Sequence, residues 1–100
     1  MRIIASSNLK AYAAAHPETA SALARWSAAM RAGSWATMAE VQASFGGAKV
    51  LNADRVRFEI AGGNYRLVAA FHFRLQIAFI KFIGTHAEYD EVDALTVSQF

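Results

Sequence analysis

One hundred residues, 55 % of them hydrophobic and 18 % charged, suffice for one hydrophobic core but not for two, so a single domain over residues 1–100 is expected and a disordered chain is not. The absence of cysteine excludes a disulfide framework and a thiolate metal site, and it suits a reducing, cytoplasmic address. A formal net charge of +2 excludes little by itself; where the charges sit carries more.

The opening Met1-Arg2-Ile3-Ile4-Ala5-Ser6 turns polar too soon for the apolar stretch of an export signal, and residues 2–5 read as a short strand. Ser6, Ser7 and Asn8 are helix-capping types, placed to start a helix over residues 9–15 that His16 ends. Pro17 suits the first turn of a second helix and Glu18 its positive dipole end. Leu23, Trp26, Ser27 and Met30 then recur at helical spacing until Gly33. Thr37-Met38-Ala39-Glu40 matches a capping box, so a third, short helix is expected to reach about Phe45 and stop at Gly46-Gly47.

From Ala48 the pattern changes to β-branched and aromatic runs: Val50-Leu51, then residues 55–60, 65–73 and 76–83. The connections between them, residues 52–54, residues 61–64 and Arg74-Leu75, are short enough for successive antiparallel hairpins. Helices first and a meander of four strands after them predict an α+β fold, with the helices on one face of a mainly antiparallel sheet. The longest apolar stretch, residues 67–83, is broken by His72, Arg74, Gln76 and Lys81, so no membrane span is expected.

The charges divide along the chain. Lys49, Arg55, Arg57, Arg66, Arg74 and Lys81 face only Asp54 and Glu59 in the middle, whereas Glu88, Asp90, Glu91 and Asp93 follow. Arg55-Val56-Arg57-Phe58-Glu59-Ile60 alternates strictly, which sends Val56, Phe58 and Ile60 to one sheet face and the charged trio to the other. In the next strand Arg66, Val68, Ala70, His72 and Arg74 share a side. If the two sides are continuous, Arg57, Glu59, Arg66, His72 and Arg74 line one surface, hollowed at Val68 and Ala70, with Lys81 joining from the last strand. Forked guanidinium contacts make such a surface fit for phosphate oxygens, although a solvated sheet face carries similar residues to resist aggregation. His86 stands three and four residues before Tyr89 and Asp90, a spacing that lets them meet on one side of a helical turn and exchange a proton. No phosphate-loop or nucleophile-elbow pattern occurs, and His16, His72 and His86 are too scattered for a metal site.

Asn64-Tyr65-Arg66-Leu67-Val68 together with Phe82-Ile83-Gly84-Thr85-His86-Ala87-Glu88-Tyr89-Asp90 closely resembles the HigB toxin family of the RelE-like superfamily, and the likeness extends to Arg2-Ile3-Ile4-Ala5, His16-Pro17, Trp26, Trp35 and Arg55-Val56. The resemblance implies two or three helices against a small sheet and a cytoplasmic toxin of a type II toxin-antitoxin pair. Such a toxin is a metal-independent, cofactor-free endoribonuclease that cleaves mRNA, often in the ribosomal decoding site. Its partner is a HigA-type antitoxin with a helix-turn-helix domain. On this reading Arg66 grips the scissile phosphate and Lys81 helps neutralise it. His86 is the acid, with Tyr89, Asp90 or Glu59 as base or orienting group. Arg57, Arg74, Arg55, Lys49 and His72 hold the RNA strand. The alternative from another class is a module that binds RNA or the ribosome and blocks translation without cutting.

Overall fold

The computed structural model describes residues 1–100. A five-stranded sheet in the order β1-β5-β4-β3-β2 is built from β1 (Arg2–Ile4), β2 (Lys49–Val50), β3 (Arg55–Ile60), β4 (Tyr65–His72) and β5 (Ile77–Thr85). The last four form the expected antiparallel meander, while β1 returns to pair parallel with β5, Arg2 opposite Ile77 and Ile4 opposite Phe79. Helices α1 (Ser6–Ala15), α2 (Ala20–Ala32) and α3 (Met38–Ser44) precede the meander, and a short α4 (His86–Asp90) follows it. The fold is thus α+β, with helices packed against a mostly antiparallel sheet. No helix is long and apolar enough to cross a membrane.

Two local expectations are revised. Ser6, Ser7 and Asn8 form the first turn of α1 instead of capping it from outside, and the cap position falls on Ala5, which offers no side-chain acceptor. Pro17 opens a 3₁₀ turn, Pro17–Thr19, and this leads into α2 at Ala20. By contrast α3 begins with the full capping box: Thr37 Oγ1 accepts from the Glu40 amide at 3.2 Å and Glu40 Oε2 accepts from the Thr37 amide at 2.9 Å.

The core lies between the helices and one sheet face. Leu9 of α1, Leu23, Trp26 and Met30 of α2 and Val41 of α3 are buried against Val56, Phe58, Ile60, Leu67, Ala69, Phe71, Ala78, Ile80 and Ile83. Phe58 is at the centre, with the rings of Trp26 and Phe45 edge-on to it at centroid distances of 5.3 and 5.0 Å. The strict alternation of β3 produces this directly, since every second side chain of a strand points to the same face.

The register contains one irregularity. Val68 pairs with Phe82 and Ala69 with Ile80, so Lys81 is a surplus residue, a β-bulge in β5. Before it, Ala78 and Ile80 face the core; after it the faces exchange. Ile83 then enters the core, and Phe82 and Gly84 stand on the side opposite the helices.

Candidate active site

The face turned away from the helices carries Lys49 of β2, Arg55, Arg57 and Glu59 of β3, Arg66, Val68 and Ala70 of β4, and Phe79, Phe82 and Gly84 of β5. Cross-strand pairing sets their rows: Lys49 beside Arg57 and Val68, Glu59 beside Arg66 and Gly84, Arg55 beside Ala70 and Phe79. At the Glu59 row the charged groups converge. Arg66 Nη1 lies 3.0 Å and Arg57 Nη2 3.8 Å from Glu59 Oε1, and Arg57 Nη2 also donates to the Gly47 carbonyl at 3.1 Å.

Arg66 is only 8 % exposed, and its Nε and Nη1 have no hydrogen-bond acceptor, the contact with Glu59 being close in distance but not aligned as a hydrogen bond. A buried guanidinium with unpaired N–H groups leaves a desolvation cost uncompensated. Glycines let the Glu59 and Arg66 side chains pack here. A Cβ on Gly47, whose φ is +74°, would stand 2.5 Å from Glu59 Oε2, and one on Gly63, with φ +91°, would meet Arg66 Nη1 at 3.4 Å.

The helix α4 starts two residues after Gly84, the residue opposite Arg66. Thr85 caps it, its Oγ1 accepting from the Glu88 amide at 3.1 Å while Glu88 Oε1 accepts from the Thr85 amide at 2.8 Å. That backbone donation, aided by the Thr85 hydroxyl and by His16, holds the Glu88 carboxyl below the usual carboxylate range. Within α4, His86 Nδ1 and Asp90 Oδ2 are 3.1 Å apart, a histidine oriented by a carboxylate one turn later, and both side chains are solvent-exposed. The Tyr89 ring packs at 6.1 Å from the ring of Phe82, so the aromatic pair borders Gly84 on the same face.

Several expected members of the surface lie elsewhere. His72 is at the far end of β4, opposite Ile77, where its Nδ1 accepts from the Leu75 amide at 3.3 Å. Arg74 lies in the following turn and borders a depression with Ser34, Trp35, Glu40 and Gln76 near the start of α3. The side chain of Lys81 leans back along its strand, its Nζ 5.7 Å from the Phe79 ring centroid and thus directed away from Gly84 and Arg66.

The hollow expected at Val68 and Ala70 is filled. Arg55, 9 % exposed, donates from Nη1 to the carbonyl oxygens of Ala94 and Val97 at 3.1 and 2.7 Å. Gln99 then closes the edge of β5 beyond β1, its amide donating to the Lys81 carbonyl at 2.9 Å and its Oε1 accepting from the Ile83 amide at 2.9 Å. Residues 93–100 therefore cross this face, and Val68, Ala70 and Phe82 are buried there although they point away from the helices. Arg55 is an anchor for this segment and not part of the open surface. The open patch is confined to Lys49, Arg57, Glu59 and Arg66, with Gly84, Phe82 and the α4 residues at its border.

Sequence reasoning missed Glu88, Gly84, Gly47 and Gly63. The Thr85-His86-Ala87-Glu88 spacing is itself a capping-box signal and could have placed Glu88 at a helix start beside the site. No cluster of three or more His, Cys, Asp or Glu side chains is arranged to hold a metal ion.

Comparison with curated proteins gives no match. The family model for the HigB toxin, described as the RelE-like toxic component of a toxin-antitoxin system, matches residues 19–92, which takes in Arg57, Glu59, Arg66 and the whole of α4. With a match over most of its length and the α+β architecture that goes with it, the chain belongs to the HigB toxin family, the RelE-like toxic components of toxin-antitoxin systems.

Proposed function

We propose that this toxin is an endoribonuclease that cleaves mRNA in the cytoplasm, acting as one domain at the ribosomal decoding site and held in check by a HigA-type helix-turn-helix antitoxin. The observation that carries the reading is Arg66: a guanidinium only 8 % exposed with two unpaired N–H-bearing nitrogens, set among Glu59, Gly63 and Gly84 on the sheet face turned away from the helices. Antitoxin pairing follows from the toxin family; RNA as target follows from the chemistry of the patch, where arginines wait for an oxyanion and an aromatic pair stands at the border for a base.

In the proposed reaction the ribose 2′-oxygen attacks the adjacent phosphorus and the P–O5′ bond breaks, leaving a 2′,3′-cyclic phosphate and a 5′-hydroxyl. The 2′ proton passes to Glu59, the carboxylate nearest Arg66, and His86, oriented by Asp90, gives a proton to the departing 5′-oxygen. Arg66 and Arg57 stabilise charge on the non-bridging oxygens. Tyr89, beside Phe82, stacks on a neighbouring base, and Lys49 meets the strand at the sheet edge. Lys81, His72 and Arg74 reach the RNA only further along its path.

Brief induction followed by mapping of 5′-hydroxyl ends tests this. New ends are expected with the wild type and few with His86→Ala, whose exposed side chain can be removed without loss of the fold. Translation arrest with intact message in both would instead establish a binding module that does not cut.

A further inference from the structure

We propose that Tyr65, bonded to Glu18, is a positioning residue for His86: from the side of the sheet opposite Arg66 it holds the strand end at which α4 starts. This rests on the reading of His86 as the acid and adds the residues that keep it in place.

Helix α4 does not fix itself. It has five residues, none of them buried, and so short a helix does not hold alone. Its first residue is tied to the β3–β4 turn, where the His86 amide donates to the Asn64 carbonyl at 3.0 Å. Its cap, Thr85, is the cross-strand partner of Tyr65. Both anchors therefore depend on where residues 64 and 65 sit. Tyr65 faces the helices, packed against the core, and its hydroxyl donates to Glu18 Oε2 in the turn between α1 and α2. That bond, before any other cause, holds the Glu18 carboxyl below its usual range and the Tyr65 phenol above its own. The Tyr65 ring stands edge-on to Tyr12 and to His16, with 6.1 Å between centroids in each case, and those two rings stack on each other at 4.2 Å. His16 Nδ1 lies 3.8 Å from the same Glu18 oxygen. The end of α1 and the turn after it thus grip one residue of β4, and His86 is attached to that residue's neighbours.

The test uses the full chain and two readouts: cleavage on translating ribosomes, and the ring signals of His86 in NMR spectra. Tyr65→Phe deletes the hydroxyl and keeps the ring. It is expected to lower kcat on the order of tenfold to a hundredfold, the scale of a catalytic group displaced by about 1 Å. KM should hold, because Arg57 and Arg66 still bind the strand, and the His86 signals should shift. Glu18→Ala should do the same, whereas Glu18→Gln, which still offers an oxygen to the Tyr65 hydroxyl, should stay close to wild type. The double variant Tyr65→Phe/Glu18→Ala should be no worse than either single one, since the two residues act through one bond.

A Tyr65→Phe chain that melts earlier yet keeps its kcat and its His86 signals would make Tyr65 a stabilising residue only and overturn the proposal, as would additive losses in the double variant. Cleavage at the wild-type rate by His86→Ala would overturn the acid reading, and the positioning role with it. An inactive His86→Ala beside a fully active Tyr65→Phe would overturn the positioning role alone.

Discussion

Replacing Arg66 by alanine separates a functional arginine from a structural one. The side chain is buried, yet its interactions contribute little to folding. Its contact is with Glu59, whose side chain is 38 % exposed, and ion pairs open to solvent contribute at most about 1 kcal/mol. Against that loss stand two nitrogens without acceptors, whose removal relieves a desolvation penalty of similar size. The net change in stability should be within about 1 kcal/mol, or roughly 4–8 °C in Tm for a domain this small. Catalysis should respond quite differently, because withdrawing one preorganised donor from a developing oxyanion costs on the order of 10²- to 10³-fold in rate. Arg66→Lys keeps the charge but loses the fork, so it should fall between wild type and alanine. Cleavage is read as 5′-hydroxyl ends formed per minute on translating ribosomes, and stability as Tm by circular dichroism. Cleavage within threefold of wild type would refute the assignment, as would loss of activity that merely follows loss of the folded state.

Other consequences of the structure can be measured separately. Phe58→Ala should cost about 3–5 kcal/mol, the range for emptying a buried aromatic site, and should leave a marginal fold by urea titration, since Trp26 and Phe45 both lose their edge-to-face partner. Thr37→Ala removes the acceptor for the Glu40 amide and should lower stability by about 1 kcal/mol in the same assay. Tyr12 is pushed up to about 12 from the usual 10, first by burial and then by Glu88, Tyr65 and Glu18. Its neutral form is favoured in the folded chain, so this contribution is complete below pH 10 and is lost as the pH rises toward about 12. Ultraviolet titration should show a late phenolate that Tyr12→Phe abolishes.

What the sequence disclosed about the site depended on how locally each feature is encoded. Arg57, Glu59 and Arg66 could be put on one face because the two-residue period of β3 and β4 is written in consecutive residues. The Thr37 capping box is local in the same sense. The covering of Val68 and Ala70 was not legible, because it depends on Arg55 meeting carbonyls 39 and 42 residues further along, and no local pattern marks such an encounter. The parallel return of β1 to β5 is equally non-local. Lys81 was expected to join the surface of Arg66 from the last strand, and the bulge at which β5 exchanges its faces could not be read: Ile77-Ala78-Phe79-Ile80-Lys81-Phe82-Ile83 is largely apolar on both phases and carries no glycine to announce an extra residue.

That surplus residue has a consequence of parity. Removing Lys81 would make β5 a regular strand in which Ile80 is followed directly by Phe82, so Phe82 and Gly84 would stay on the face of Arg66 and Ile83 in the core. Shortening the hairpin at Arg74-Leu75 would leave this parity intact. Both one-residue deletions are thus expected to keep the groups that meet around Arg66, the bulge being a place where β5 can lose a residue without exchanging its faces.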